Sequence, residues 1–397
     1  MPDMQPMITY ERAVEIIRAN AVLLDAETVE LLGSLNRVLR QDVLCDIDMP
    51  PFDKSAMDGY ACRSEDVGNL LEVVEVIPAG HPPQHTIGRN QCAKIMTGAM
   101  LPAGADCVVI VEEVEETSNG MIRFKGTHVH PNICRRGEDV VAGQQLVSSG
   151  TRITPKEIAA LALAGCTSPR VCRRPRIGII ATGDEIVEPH RVPAGTEIRN
   201  SNSYQLYAQS LRFGAQPSYY GIVPDTNEAI GRVIEKAKPE SDLILLTGGV
   251  SMGDFDLVPS ILKEQGFQIL FEKVAIQPGK PTVFGRAGDR FVFGLPGNPV
   301  SSFTIFEVLV KELLSCMMGL TSHAQTARYT LASAVRRKNA VRLAWIPVKV
   351  TAEGLAEPVR YHGSAHITSL ASADGMITLP IGVTEIEKGT FVEVRRI

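Results

Sequence analysis

The stretch Ile177-Gly178-Ile179-Ile180-Ala181-Thr182-Gly183-Asp184-Glu185 decides the fold class. Small and apolar residues run unbroken and then stop on a Thr-Gly-Asp-Glu turn. That is the pattern of a strand buried on both faces, ending at a sheet edge. Working outward, a helix is expected over Ser203–Phe213, a strand near Ser218–Val223 and a helix near Asn227–Ala237. The strand Leu243–Leu246 follows, then the loop Thr247–Asp254 and a helix near Leu257–Gln265. Strands near Ile269–Val274, Pro281–Gly285 and Phe291–Phe293 precede a helix from Pro299 to about Met318. Alternating strands and helices predict a mostly parallel sheet wrapped by helices, the core of an α/β multidomain chain.

On the N-terminal side, residues 9–39 read as helical, with one helix beginning at Tyr10 and a second over 25–35. The break Met49-Pro50-Pro51-Phe52-Asp53 opens a stretch of short apolar runs cut by Gly and Pro (70–77, 91–96, 107–114 and 121–124), which predicts a β-rich domain. Thr154-Pro155-Lys156-Glu157 carries the cap, first-turn proline and acidic residue of a helix start. After Gly319 no helical period is sustained, and runs at 327–335, 344–351, 377–379 and 391–394 predict a small C-terminal barrel or sandwich.

The chain has 397 residues, with 40 Lys plus Arg against 45 Asp plus Glu. That length exceeds one compact core and predicts several domains. A net charge of −5 argues against a sequence-independent nucleic-acid binder. No apolar run is long enough to span a membrane, and residues 1–10 lack a basic, then apolar, leader pattern, so a cytoplasmic location is expected. The 8 cysteines include no C-x-x-C pair and read as scattered structural thiols.

Ligands of open α/β sheets bind beyond the carboxyl ends of the strands. Three polar turns fall there: Thr182-Gly183-Asp184-Glu185, the loop 247–256, and Gly294-Leu295-Pro296-Gly297-Asn298-Pro299 opening a helix. Glycines admit close backbone approach, and a helix start favours an anion, either phosphate or an oxyanion such as molybdate. Glu185, Asp225 and Asp256 among these turns would repel a phosphate unless a divalent cation such as Mg²⁺ lay between. Asp225 and Asp254 both precede expected helices and offer themselves as N-caps; Asp254 reads as the cap, while Asp225 and Asp256 read as metal ligands. Lys273 and the Pro-flanked Lys280 in Gln277-Pro278-Gly279-Lys280-Pro281 supply positive charge.

Together these segments resemble one family, the molybdopterin molybdenumtransferases (MoeA-type, including the E domain of gephyrin). The matching stretches are PPFDKSAMDGYA, IMTGAMLPAGADCVV, RRGEDV, IIATGDEI, IRNSNSYQL, LLTGGVSMGDFD, QPGKPTVFG, GLPGNPVSS and, more loosely, GSAHITSLASADGMITLP. They run from residue 50 to about 380 in the family's order. The resemblance implies four domains: an elongated one from 1–46 plus 137–171, a β-rich insertion over 47–136, a molybdopterin-adenylyltransferase-like α/β domain over 172–325, and a C-terminal β-barrel over 326–397. It implies a homodimer that inserts molybdenum from molybdate into adenylylated molybdopterin, releasing AMP with Mg²⁺ (or Zn²⁺). Transient contact with a molybdopterin adenylyltransferase is implied too. The alternatives from other classes are a gephyrin-like scaffold or molybdate- or pterin-binding module without turnover, and a hydrolase or adenylyltransferase using the α/β domain alone.

By position, the resemblance gives Lys280, Pro281 and Ser301 to molybdate. It gives Thr182, Gly183, Asn202, Gly248, Gly249, Ser251 and the loop Pro296-Gly297-Asn298 to the pterin phosphate or AMP. Glu185, Asp225 and Asp256 would serve the divalent ion and anhydride cleavage, with Lys273 offsetting charge. Asp58, Thr97, Gly98 and Asp139 match cleft positions, reaching the partner protomer's cleft. Gln277 departs from the Lys of several relatives, and Pro347 stands where a second Arg is expected.

Overall fold

In the α/β sheet, alternate residues of each strand serve opposite cores, which is why its strands read as unbroken apolar runs. The computed structural model describes residues 6–117, 119–249, 258–321, 326–359, 363 and 365–397. Of the residues singled out above, Ser251, Asp254 and Asp256 lie outside the described residues. The chain forms two compact units. One comprises Met1–Gln41, Ser149–Thr154 and Arg170–Ile397, the other Asp42–Ser148 and Pro155–Pro169.

The first unit holds the six-stranded sheet. Its strands are β1 (Arg176–Thr182), β2 (Gln216–Val223), β3 (Leu243–Thr247), β4 (Gln268–Lys273), β5 (Pro281–Ala287) and β6 (Arg290–Leu295), in the order β2-β1-β3-β6-β5-β4. Strands β2, β1, β3 and β6 are parallel, and β5 runs antiparallel to both β6 and β4. Ile177, Ile179, Leu243 and Leu245 face one core with Phe284, Phe291 and Phe293. Ile180, Ile244 and Leu246 face the other, against Ile230 and Ile234 of α2 (Asn227–Glu240) and Ile261 and Leu262 of α3 (Val258–Glu264), while α1 (Asn202–Phe213) precedes both in the chain. Phe284 packs against Phe271, Phe291 and Phe293 with ring centroids 5.4, 6.0 and 4.7 Å away.

The expected helix from Pro299 is one continuous run with a wide middle turn: α4 (Pro299–Ile305), a π-helical turn (Phe306–Val310) and α5 (Lys311–Met318). The helix expected over 25–35 does not form. Ala26–Thr28 is a strand paired with Arg170–Cys172, and Leu31–Ser34 is a 3₁₀ turn. A backbone partner distant in sequence outcompetes the local helical spacing there.

The C-terminal region is a closed five-stranded barrel. Its strands are β7 (Thr326–Leu331), β8 (Leu343–Val350), β9 (Leu355–Pro358), β10 (Gly375–Leu379) and β11 (Phe391–Arg396). The order β8-β9-β7-β11-β10 closes through the β8–β10 pairing, so no free edge remains among the five. The second unit carries a mixed six-stranded sheet, in the order 107–110, 59–62, 91–95, 70–77, 121–124, 114–116, and the helix Pro155–Leu163. Its cores are small: Tyr60, Cys62, Leu71 and Ile122 on one face, Ala61, Ile77 and Ile95 on the other.

The edge of the α/β sheet where its parallel strands begin is pinned by one carboxylate. Asp242, 1% exposed, accepts from Arg173 at 2.6 and 3.0 Å, from Arg176 at 3.0 Å and from Arg290 at 2.6 Å. Burial alone would raise its carboxyl, but the hydrogen bonds from Arg173 and Arg176 outweigh it and hold the group at about 2. Because the folded value lies below the unfolded one, its contribution is full above about pH 4 and is lost as pH falls through 2. Urea unfolding at pH 5 and pH 2 is expected to show a drop of about 2 kcal/mol from this group. Asp242→Asn should lack that component, and an equal drop in the variant would exclude Asp242 as its source.

Candidate active site

The carboxyl ends of β1, β3 and β6 bring three turns together. At Gly248 φ is +102°, and a Cβ there would stand 2.3 Å from the Thr182 carbonyl oxygen and 2.7 Å from Thr182 Oγ1. Only glycine lets the β3 turn lie against the β1 turn. The Gly248 amide donates to the Leu295 carbonyl at 3.3 Å, linking the β3 and β6 turns. Asn202, at the start of α1, closes the group: its Nδ2 donates to Thr247 Oγ1 at 2.8 Å and to the Gly297 carbonyl at 2.7 Å. Since a carbonyl can only accept, this fixes the amide's orientation and leaves Oδ1 as the free acceptor.

Thr182 Oγ1, Asn202 Oδ1 and Asp225 Oδ1, from three segments at this edge, are buried with no partner among the described residues, as are Gln205 Oε1, Gln209 Oε1 and Ser302 Oγ along α1 and α4. Buried polar atoms are nearly always satisfied, so a cluster of unsatisfied ones marks a place where a polar ligand completes the bonding. The Asp225 amide donates to Asp184 Oδ1 at 3.3 Å, and Thr226, not Asp225, caps α2. The Asp225 carboxylate is thereby left for another role. Glu185 folds back over Gly183, where a built Cβ would lie 2.7 Å from its Oε2. Glu185 and Asp225 suit a divalent ion by charge and donor type. Among the described residues, no three His, Cys, Asp or Glu side chains form a ready-made cage.

Because β5 runs opposite to β6, its first residue Pro281 lies at the same edge, opposite Lys273 at the end of β4. Lys273 and Lys280 are half-buried there. The Lys280 turn is closely packed: Gly279 has φ +113° with Ile305 2.5 Å from where a Cβ would stand, and buried Thr282 donates to the Gly279 carbonyl at 2.7 Å. Asn298 caps α4 without a side-chain hydrogen bond, Pro299 fills its first position, and Ser301 is buried one turn in.

In the second unit, Asp58 Oδ1 accepts from the Thr97 amide at 2.6 Å and the Thr97 hydroxyl at 2.7 Å. The amide first and then the hydroxyl draw the Asp58 carboxyl below its ordinary range, keeping it ionised. A pocket of about 160 Å³ is lined by Asp58, Gly59, Lys94, Ile95, Met96 and Val111. Lys94, which the sequence reading passed over, binds Glu116 at 3.1 Å. Its signal was a lone cation inside an otherwise buried strand. Gly98 has φ +84°, and exposed Asp139 donates its amide to the Met49 carbonyl at 3.0 Å. Arg135 and Arg136 pair with Asp53 and Asp48, carboxylates outside their own turn.

Three family profiles match in chain order: the MoeA N-terminal region (domain I and II) over residues 8–165, the "Probable molybdopterin binding domain" over 178–315, and the MoeA C-terminal region (domain IV) over 330–396. The molybdopterin molybdenumtransferase of Staphylococcus epidermidis is 36% identical over 98% of this chain and 95% of that protein. The chain belongs to the molybdopterin molybdenumtransferase (MoeA) family. The enzyme of that name from Bacillus subtilis is also 36% identical, over 93% of this chain and 89% of its own. A crystal structure of a MoeA protein of molybdopterin biosynthesis from Pyrococcus horikoshii superposes with TM-score 0.85 at 28% identity, covering 99% of this chain and 100% of the other. Another from the same organism gives TM-score 0.79 at 32% identity, covering 98% and 99%. Molybdenum cofactor biosynthesis is therefore the family's setting. Among the described residues, no helix is long and apolar enough to cross a membrane.

The MoeA-type edge makes opposite demands on two of its glycines. Gly248→Ala is expected to lower stability by about 1–3 kcal/mol in urea unfolding, through the clash with Thr182. Gly297→Ala, whose Cβ would meet nothing nearer than Gly248 Cα at 3.9 Å, should stay within about 0.5 kcal/mol of the parent. Equal losses in the two variants would contradict the close approach at 248.

Proposed function

We propose that this chain is a molybdenum insertase: it takes molybdate and adenylylated molybdopterin and yields molybdenum cofactor and AMP. The three unsatisfied buried oxygens at one sheet edge carry this reading, because a polar ligand must complete them. The Gly249 amide and the loop Pro296-Gly297-Asn298 bind the phosphate, with Gly183 and Gly248 giving room. Thr182 Oγ1 and Asn202 Oδ1 orient the substrate. Ser251, in the same loop, is assigned to the ligand as well.

Lys280 and Ser301 hold molybdate beside Pro281, the closely packed turn fixing where the ammonium sits. Lys273 offsets charge. Glu185 and Asp225, with Asp256, would hold Mg²⁺ (or Zn²⁺), which when bound neutralises the phosphoanhydride and polarises the bond to be cleaved. Asp58, held ionised by Thr97, and Asp139 serve as further catalytic carboxylates. The chain needs no covalent nucleophile for this chemistry: charge neutralisation and orientation suffice.

The four-domain division given above belongs to the same proposal. So does a homodimer, supported by Tyr204, Tyr207 and Leu211, which are exposed at helical spacing along α1. A transient encounter with a molybdopterin adenylyltransferase would deliver the adenylylated substrate.

Purified chain with adenylylated molybdopterin, molybdate and Mg²⁺ should release AMP and give a product that reconstitutes a molybdoenzyme. Lys280→Ala should lower turnover on the order of 100-fold. Binding of the pterin without AMP release would contradict the enzyme reading and favour a binding module.

A further inference from the structure

Helix α1 meets α4 through amides, where helix pairs ordinarily meet through apolar side chains. Asn202, Gln205 and Gln209 stand at i, i+3 and i+7 and so share one stripe of the helix. Each donates to the segment that begins in the Gly297 turn. Asn202 Nδ2 bonds the Gly297 carbonyl at 2.7 Å, Gln205 Nε2 the Pro299 carbonyl at 3.1 Å, and Gln209 Nε2 the Phe303 carbonyl at 3.4 Å. Donors and acceptors ascend together along the two elements.

The rail ends on an anchor. Gln209 Nε2 also donates to Glu307 Oε1 at 2.8 Å, and Glu307 is fully buried in the π-helical turn. Arg212 reaches the same oxygen at 2.8 Å, and Lys311 pairs with the other. The wide turn brings this carboxylate against α1, and π turns of this kind recur at functional sites. An apolar seam tolerates sliding by a fraction of a turn. Hydrogen bonds to carbonyls weaken steeply with angle and distance, so a run of them fixes one register.

We propose that Gln205 and Gln209 are positioning residues that hold α4 in register and thereby aim the Gly297-Asn298 turn at the bound pterin. The inference rests on the reading of the sheet edge given above and deepens it. Neither side chain touches the ligand. Each acts through the carbonyl or carboxylate it grips, and loss of either leaves the turn in place but free to shift.

The test compares the full-length parent with Gln205→Met and Gln209→Met, which keep side-chain length and remove the donor. In Gln209→Met, Glu307 retains Arg212 and Lys311, so the fold persists. Gln205 is only half-buried, which makes its variant the milder of the two. Three readouts are taken: melting midpoint, dissociation constant for molybdopterin, and hydrogen exchange of amides 297–302 in the free protein. Expected are a midpoint within about 4 °C of the parent, faster exchange confined to 297–302, and molybdopterin binding weakened about five- to ten-fold, the effect of one net hydrogen bond. Unchanged binding in both variants, with the parent binding normally, overturns the proposal whatever the exchange shows. A parent that binds no molybdopterin overturns the reading of the edge itself and this inference with it.

Discussion

The contact on which the site depends is the approach of the Gly248 backbone to the Thr182 carbonyl. No side chain fits between them, so the β1 and β3 turns meet backbone to backbone. The sheet order sets up this contact. From β1 the chain runs to β2 on one side and then crosses to β3 on the other, so the two turns leave their strands in opposite directions and open a cleft at the edge. Asn202 then ties the end of β3 to the Gly297 turn with a single amide. A site built this way is rigid because its walls are strand ends and its links are short hydrogen bonds.

The edge combines charges that would be unfavourable apart. Carboxylates at 184, 185 and 225 and ammonium groups at 273 and 280 share one rim of the sheet. A phosphate alone would be repelled by the former, and a divalent cation alone by the latter. A substrate that brings both a pyrophosphate and its counterion meets each demand. Under the proposed function, the small tetrahedral oxyanion is assigned to the cationic side, near Lys280 and the helix start at Pro299. The opposite edge of the sheet has the converse design, one carboxylate under three arginines, with every oxygen satisfied. That contrast separates a structural ion cluster from a ligand site more clearly than charge counts do.

Much of this could be read from the chain because burial leaves a sequence imprint. The runs 177–181 and 243–246 are apolar throughout, since both faces are covered, and the strands they predict form within a residue or two at each end. Residues 25–35 misled because their helical spacing is genuine, yet the decisive partner of Ala26–Thr28 lies near residue 171, beyond any local pattern. The π turn at 306–310 was illegible for a related reason. Glu307 looks like a stray charge in an apolar helix until Gln209, Arg212 and Lys311 are brought around it. At the site, glycine-rich turns were visible as turns, and Asp225 as a carboxylate with a choice of roles. The capping of α2 by Thr226 instead removes one of those roles. Asn202's double bond to two turns, and the amide rail that continues it, appear only once α1 is laid against α4.

The most direct measurement is anomalous scattering at the molybdenum edge from crystals of the protein soaked with molybdate and molybdopterin. The account predicts a molybdenum peak beside Lys280 and Ser301, with pterin phosphate density against Thr182, Gly248 and Gly297. Molybdenum bound away from this sheet edge, with the three buried oxygens still unengaged, would contradict it.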